Sequence, residues 1–131
     1  MTRTPINPWP WSLHYGFSQA ELVEAPQKTL YLSGQTAMDA HGKPQHAGDM
    51  RGQVTLALDN LEAVLAQAQM TLNNVVRLVV YTTDVDALLK NFDALGARLK
   101  EAGAVPTQTM LGVSRLFLPQ LLVELEATAV A

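Results

Sequence analysis

Apolar positions between residues 50 and 69 recur at steps of four, three and four: Val54, Leu58, Leu61 and Leu65, flanked by Ala57, Val64 and Ala68. That spacing lines one face of a 3.6-residue helix and predicts a helix to about Gln69. Asp49 precedes it and supplies a short acceptor for the unsatisfied N–H groups of the first turn. Leu88, Phe92, Leu95 and Leu99 repeat the spacing and predict a second helix, capped by Asp84 or Asp86 and closed at Gly103. Elsewhere the period changes to two. Leu121, Val123, Leu125 and Ala127 alternate with Leu122, Glu124, Glu126 and Thr128, predicting a strand over 121–130. Val75 to Thr82 is β-branched and apolar, a nearly buried central strand. Gln19–Val23 and Thr29–Gly34 read as a hairpin around Pro26, and Thr107–Leu116 as a further strand before the Phe117–Gln120 turn.

The predicted order is ββ-α-β-α-ββ, an α+β protein with helices on one face of a mixed sheet. All of it fits one domain, residues 1–131, preceded by an arm: prolines at 5, 8 and 10 favour extended structure across 1–17. The second sheet face then needs a cover of its own. Composition agrees, since charged residues make up 16%, below the roughly 25% of an average domain. A low charged share suggests that another subunit covers part of the surface.

Charge and composition narrow the function. The net charge is −3 with no run of Lys and Arg, so a nucleic-acid partner is not expected, because phosphate neutralisation dominates that affinity. Cysteine is absent, which excludes disulfides and thiol chemistry. Met1–Trp11 lacks the apolar core of a signal peptide, and no apolar stretch is long enough to span a bilayer. No membrane association and a cytoplasmic setting are therefore expected. His14, His41 and His46 lack metal-ligand spacing, and neither metal nor cofactor is expected.

Glu124 and Glu126 share one face of the last predicted strand, either turned to solvent or bordering an interface cleft. Trp9, Trp11, Tyr15 and Phe17 form either the packing surface of the arm or an apolar wall beside such a cleft.

Five segments, in order, resemble the RidA (reactive intermediate deaminase A, YjgF/YER057c/UK114) family: Tyr15-Gly16-Phe17-Ser18-Gln19-Ala20, Leu30-Tyr31-Leu32-Ser33-Gly34-Gln35, Gln53 through Leu65 with its Leu58-Asp59-Asn60-Leu61, Asn73-Asn74-Val75-Val76-Arg77 with Tyr81-Thr82-Thr83-Asp84, and Val123-Glu124-Leu125-Glu126-Ala127. The resemblance covers roughly residues 15–130 and implies a chorismate-mutase-like fold: a mixed six-stranded sheet with two helices on one face. It further implies a homotrimer with small-molecule clefts between subunits, and hydrolysis of enamines and imines to ketoacids and ammonia. Glu124 matches the family's water-positioning glutamate and Ser33 a cleft hydroxyl. Where the family has a carboxylate-binding arginine this chain has Gln108, whose amide carries no charge. Phe17 replaces a cleft tyrosine, with Tyr15 two residues before it. A cleft asparagine falls at Phe92, or at Asn91 with a one-residue shift. Arg115 matches a different family arginine and is not counted as a substitute.

The expected site is thus Glu124 as catalytic residue, with Gln108, Ser33, Phe17, Tyr15, Asn91 and Phe92 binding ligand. The expected activity is enamine or imine hydrolysis with altered substrate preference, neutral or aromatic substrates being favoured. The competing expectation is a non-catalytic, trimeric ligand-binding or stress-related protein.

Overall fold

The computed structural model describes residues 1–131. Its elements are β1 (Thr2–Ile6), a 3-10 segment (Pro10–Tyr15), β2 (Ala20–Glu24), β3 (Thr29–Gln35), α1 (Met50–Gln67), β4 (Val75–Thr82), α2 (Val85–Lys90), α3 (Asp93–Glu101), β5 (Thr107–Gly112) and β6 (Val123–Val130). The mixed α+β class is as expected. The six-stranded sheet is not: four strands form one sheet in the order β3-β6-β4-β5, and β1 and β2 form a separate two-stranded sheet.

The hairpin expected between residues 19–23 and 29–34 is also corrected. β2 pairs antiparallel with β1, and β3 pairs antiparallel with β6. Ala25 at φ 53°, followed by Pro26, redirects the chain between β2 and β3 instead of folding it into a tight hairpin turn. Each strand then pairs where its side chains match. Leu30 and Leu32 lie opposite Ala129 and Ala127 on the core side. Arg3 on β1 pairs with the Glu21 carboxylate on β2 and donates 2.6 Å to the Asn73 carbonyl, tying the small sheet to the start of β4.

The arm is not extended throughout. Pro10 occupies the first turn of the 3-10 segment, where its missing N–H is no loss, and Gly16 at φ 80° ends it. The second predicted helix is broken in two. Asn91 caps the end of α2, its amide donating 2.8 Å to the Ala87 carbonyl, and the chain restarts as α3. Leu88, Leu95 and Leu99 keep their helical spacing across the break because all three still face the core.

Asp49 caps α1 by accepting from the Gly52 N–H at 3.0 Å. The buried stripe of α1 contains one polar residue, Gln53. Its Nε2 donates to the carbonyls of His46 (3.2 Å) and Gln120 (2.9 Å), and its Oε1 accepts from the Leu122 N–H at 2.8 Å. The buried amide therefore fastens the helix to the segment that leads into β6.

β6 lies antiparallel between β3 and β4, and β4 runs parallel to β5. Val123, Leu125, Ala127 and Ala129 of β6 point to the core beneath α1. The alternate residues point the other way. There Tyr81 lies opposite Glu124, Val79 opposite Glu126 and Arg77 opposite Thr128. No helix packs on this second face, and Tyr31 on it is 80% exposed.

Candidate functional site

The predicted site residues divide into two groups on opposite faces of the sheet. Gln108 on β5 stands beside Leu78 of β4, a core residue, so its side chain lies on the helix side. Glu124 stands beside Tyr81 on the open side. One chain cannot bring both to a common ligand.

On the helix side, a cavity of about 620 Å³ lies between the 3-10 segment and α3. Gln108, Tyr15 and Phe92 line it, together with His14, Asp93 and Lys100. The Gln108 Nε2 donates to the Gly16 carbonyl at 3.3 Å, so the amide is held by its own chain. Phe17 does not line this cavity. It packs edge-on against Trp11 with ring centroids 5.9 Å apart, and Trp11 meets Tyr15 in the same way at 6.3 Å. Asn91 and Phe92, the alternatives for one cleft position, are placed differently. Phe92 faces the cavity, whereas Asn91 caps α2 and accepts from Arg51 Nε at 3.2 Å.

On the open side, Glu124 sits in a hollow of about 390 Å³. Gly34 forms part of its floor, and a Cβ there would fall 1.8 Å from the Glu124 Oε1. The missing side chain is therefore what admits the carboxylate. A break in register between Leu32 and Gln35 accompanies this close approach. Ser33, next to Gly34, is exposed and lies outside the lining of the hollow. Burial raises the Glu124 pKa above the ordinary carboxylate value, and the charge of Glu126 adds to the rise. Glu126 is itself engaged: the Tyr81 hydroxyl donates to it at 2.6 Å, which raises the tyrosine pKa in turn. Glu124 has no hydrogen-bond partner, so its carboxyl stands free in the hollow.

Sequence reasoning missed Tyr81, Gly34 and the pairing role of Glu126. The period-two pattern of 75–82 and 121–130 gives each strand's faces, but the register that sets Tyr81 against Glu124 is a tertiary fact. No three of the His, Asp and Glu side chains converge to hold a metal ion, and no helix is long and apolar enough to cross a membrane.

Comparison with known proteins places this architecture. The family model described as Endoribonuclease L-PSP matches residues 14–131. Protein DfrA of Myxococcus xanthus is 33% identical over 100 residues, 76% of this chain and 74% of that protein. A RutC family protein of Pyrococcus horikoshii is 31% identical over 101 residues, 76% and 77% of the two chains. Among solved structures, YyfB of the conserved Rid protein family from Yersinia pestis, described as of unknown function, superposes with a TM-score of 0.87 at 36% identity over 100% of both chains. RidA from the Antarctic bacterium Psychrobacter sp. does so with a TM-score of 0.70 at 26% identity over 88% of each. With the family model matched over residues 14–131 and the fold shared with Rid-family structures, the chain belongs to the RidA (YjgF/YER057c/UK114) family.

Proposed function

We propose that the chain hydrolyses the C=N bond of a small imine, or of the enamine that tautomerises to it, in clefts between the subunits of a homotrimer. The observation that carries this reading is Glu124: a half-buried carboxyl, raised in pKa, without a partner, in a hollow floored by Gly34. A free carboxyl whose pKa is raised by burial is suited to passing a proton to and from a reacting water. The water oxygen bonds to the imine carbon while one water proton passes to Glu124. Glu124 returns that proton to the nitrogen, giving a carbinolamine; it then takes the hydroxyl proton and delivers it to the nitrogen as the C–N bond breaks, so that ammonia leaves and the oxygen becomes the carbonyl. The step requires no cofactor.

The division of the site supports the assembly. Gln108, Tyr15 and Phe92 on the helix side meet Glu124 on the open side only if a second subunit packs against the first. The open face also exposes apolar surface at Tyr31 and at Leu111, which is 45% exposed. The net charge of −3 and the two glutamates at the hollow argue against RNA as substrate, despite the description that the family model bears. A cytoplasmic setting belongs to the same reading.

The test is ammonia release from imines generated in situ, over a panel of neutral and acidic side chains, alongside sedimentation mass. Acceleration that disappears in Glu124→Ala supports the enzyme. No acceleration with any substrate, or full activity in Glu124→Ala, rejects it. A monomeric mass rejects the shared cleft. The second reading, a trimer that binds ligand without turnover, is favoured by the Gln108 amide being held on the Gly16 carbonyl. Saturable ligand binding in protein that shows no turnover selects it.

A further inference from the structure

The hollow that holds Glu124 also contains a cation, and it is not at position 108. Arg115, in the loop after β5, lines the hollow together with Gly34, Tyr81, Phe117, Glu124 and Glu126. Three other arginines are paired: Arg3 with Glu21, Arg51 with Asp93, and Arg98 with Asp59 and Glu62. Arg115 pairs with neither of the two carboxylates that share its hollow. Glu126 is occupied by the Tyr81 hydroxyl. Glu124 makes no ion pair with Arg115, although both side chains line the same hollow. A free fork of N–H donors and a free carboxyl thus face one space of about 390 Å³. Phe117, 80% exposed, stands at its rim as an apolar wall. Gln108, by contrast, is neutral, lies on the other sheet face and is bonded to Gly16.

We propose that Arg115 is the specificity-determining cation of this protein, holding the carboxylate of a small 2-oxo or 2-imino acid whose reactive carbon lies toward Glu124 and whose apolar side chain rests on Phe117. A guanidinium grips a carboxylate through two parallel hydrogen bonds, which fixes orientation as well as charge. The preference is then for acids with apolar or aromatic side chains, and not for the neutral substrates that Gln108 by itself suggests. The proposal rests on reading Glu124 as the acid–base group of the same hollow, but it is tested by binding and not by turnover.

The experiment is calorimetric titration of the assembled protein with 2-oxo-4-phenylbutanoate and with its neutral amide. Wild type binds the acid at least about tenfold more tightly than the amide, and Arg115→Met removes that difference. Arg115→Lys restores part of it, and Lys43→Met, an exposed charge remote from the hollow, shifts affinity by less than about twofold. Equal binding of acid and amide by wild type, unchanged acid binding by Arg115→Met, or a loss that follows Gln108→Leu instead, overturns the proposal. So does a change in sedimentation mass of Arg115→Met, which assigns Arg115 to subunit packing. Wild type that binds no acid yet hydrolyses neutral imines through Glu124 overturns Arg115 alone and leaves the proposed chemistry standing.

Discussion

Replacing Gly34 by alanine separates the position of the Glu124 carboxyl from its presence. The φ of Gly34 lies outside the left-handed region, so alanine introduces no backbone strain. What it introduces is a collision. The new Cβ falls 1.8 Å from Glu124 Oε1, 2.6 Å from Cδ and 2.9 Å from Cγ. Contact distance is about 3.5 Å, so the oxygen must retreat by roughly 1.7 Å. The obstacle is the far end of a flexible side chain, and the fold tolerates the change. An off-rotamer glutamate costs about 0.5–1.5 kcal/mol, and removing a glycine from a strand returns about 0.5–1 kcal/mol. The melting temperature should therefore shift by no more than a few degrees, because about 1 kcal/mol corresponds to roughly 4 °C or a little more at this size. Catalysis is less tolerant. A displacement of about 1 Å costs on the order of 100-fold in rate, which is about 2.7 kcal/mol of transition-state stabilisation. Two assays read this. Steady-state ammonia release should fall about 100-fold in Gly34→Ala, with little further loss on adding Glu124→Gln. Side-chain carbon NMR titration should show the raised Glu124 pKa moving back toward the ordinary carboxylate value as the group swings toward water. A Gly34→Ala protein with wild-type turnover and an unmoved Glu124 titration would refute the claim that this glycine admits and positions the carboxyl.

Gln53→Leu should destabilise the fold by about 2–4 kcal/mol in urea denaturation at fixed subunit concentration, because the Leu122 N–H and the Gln120 carbonyl lose a buried partner. A change below about 0.5 kcal/mol would show that water replaces the amide there. Glu124→Gln should melt above wild type at neutral pH and level with it near pH 4. The folded-state pKa of Glu124 is raised, so its stabilising contribution is complete below the unfolded pKa and is lost as pH rises through the folded one. Solvent screening keeps the difference below about 1 kcal/mol, and an equal offset at both pH values would remove desolvation as the cause.

The sequence by itself determined the local structure. The four-three-four spacing places α1, Asp49 caps it, and alternation places β6 with its core-facing and outward-facing sets, since period and cap depend on neighbours a few residues away. It also carried family membership, through segments whose order survives divergence. Pairing was beyond it. Whether residues 20–24 meet 29–35 or 2–6 depends on long-range matches such as Arg3 with Glu21, and nothing local encodes them. The break at Asn91 was hidden because Leu88, Leu95 and Leu99 keep helical spacing on both sides of it. The site shows the same limit. Glu124 and Gln108 could be named from the sequence, but only the β4 register puts them on opposite sheet faces, and only the packing of β3 against β6 makes Gly34 the floor beneath the carboxyl. Arg115 was visible as a letter; its place beside Glu124 follows from the path of the loop after β5. Charges and hydroxyls become a site through distances between residues far apart in sequence, and the three-dimensional closure of the chain sets those distances.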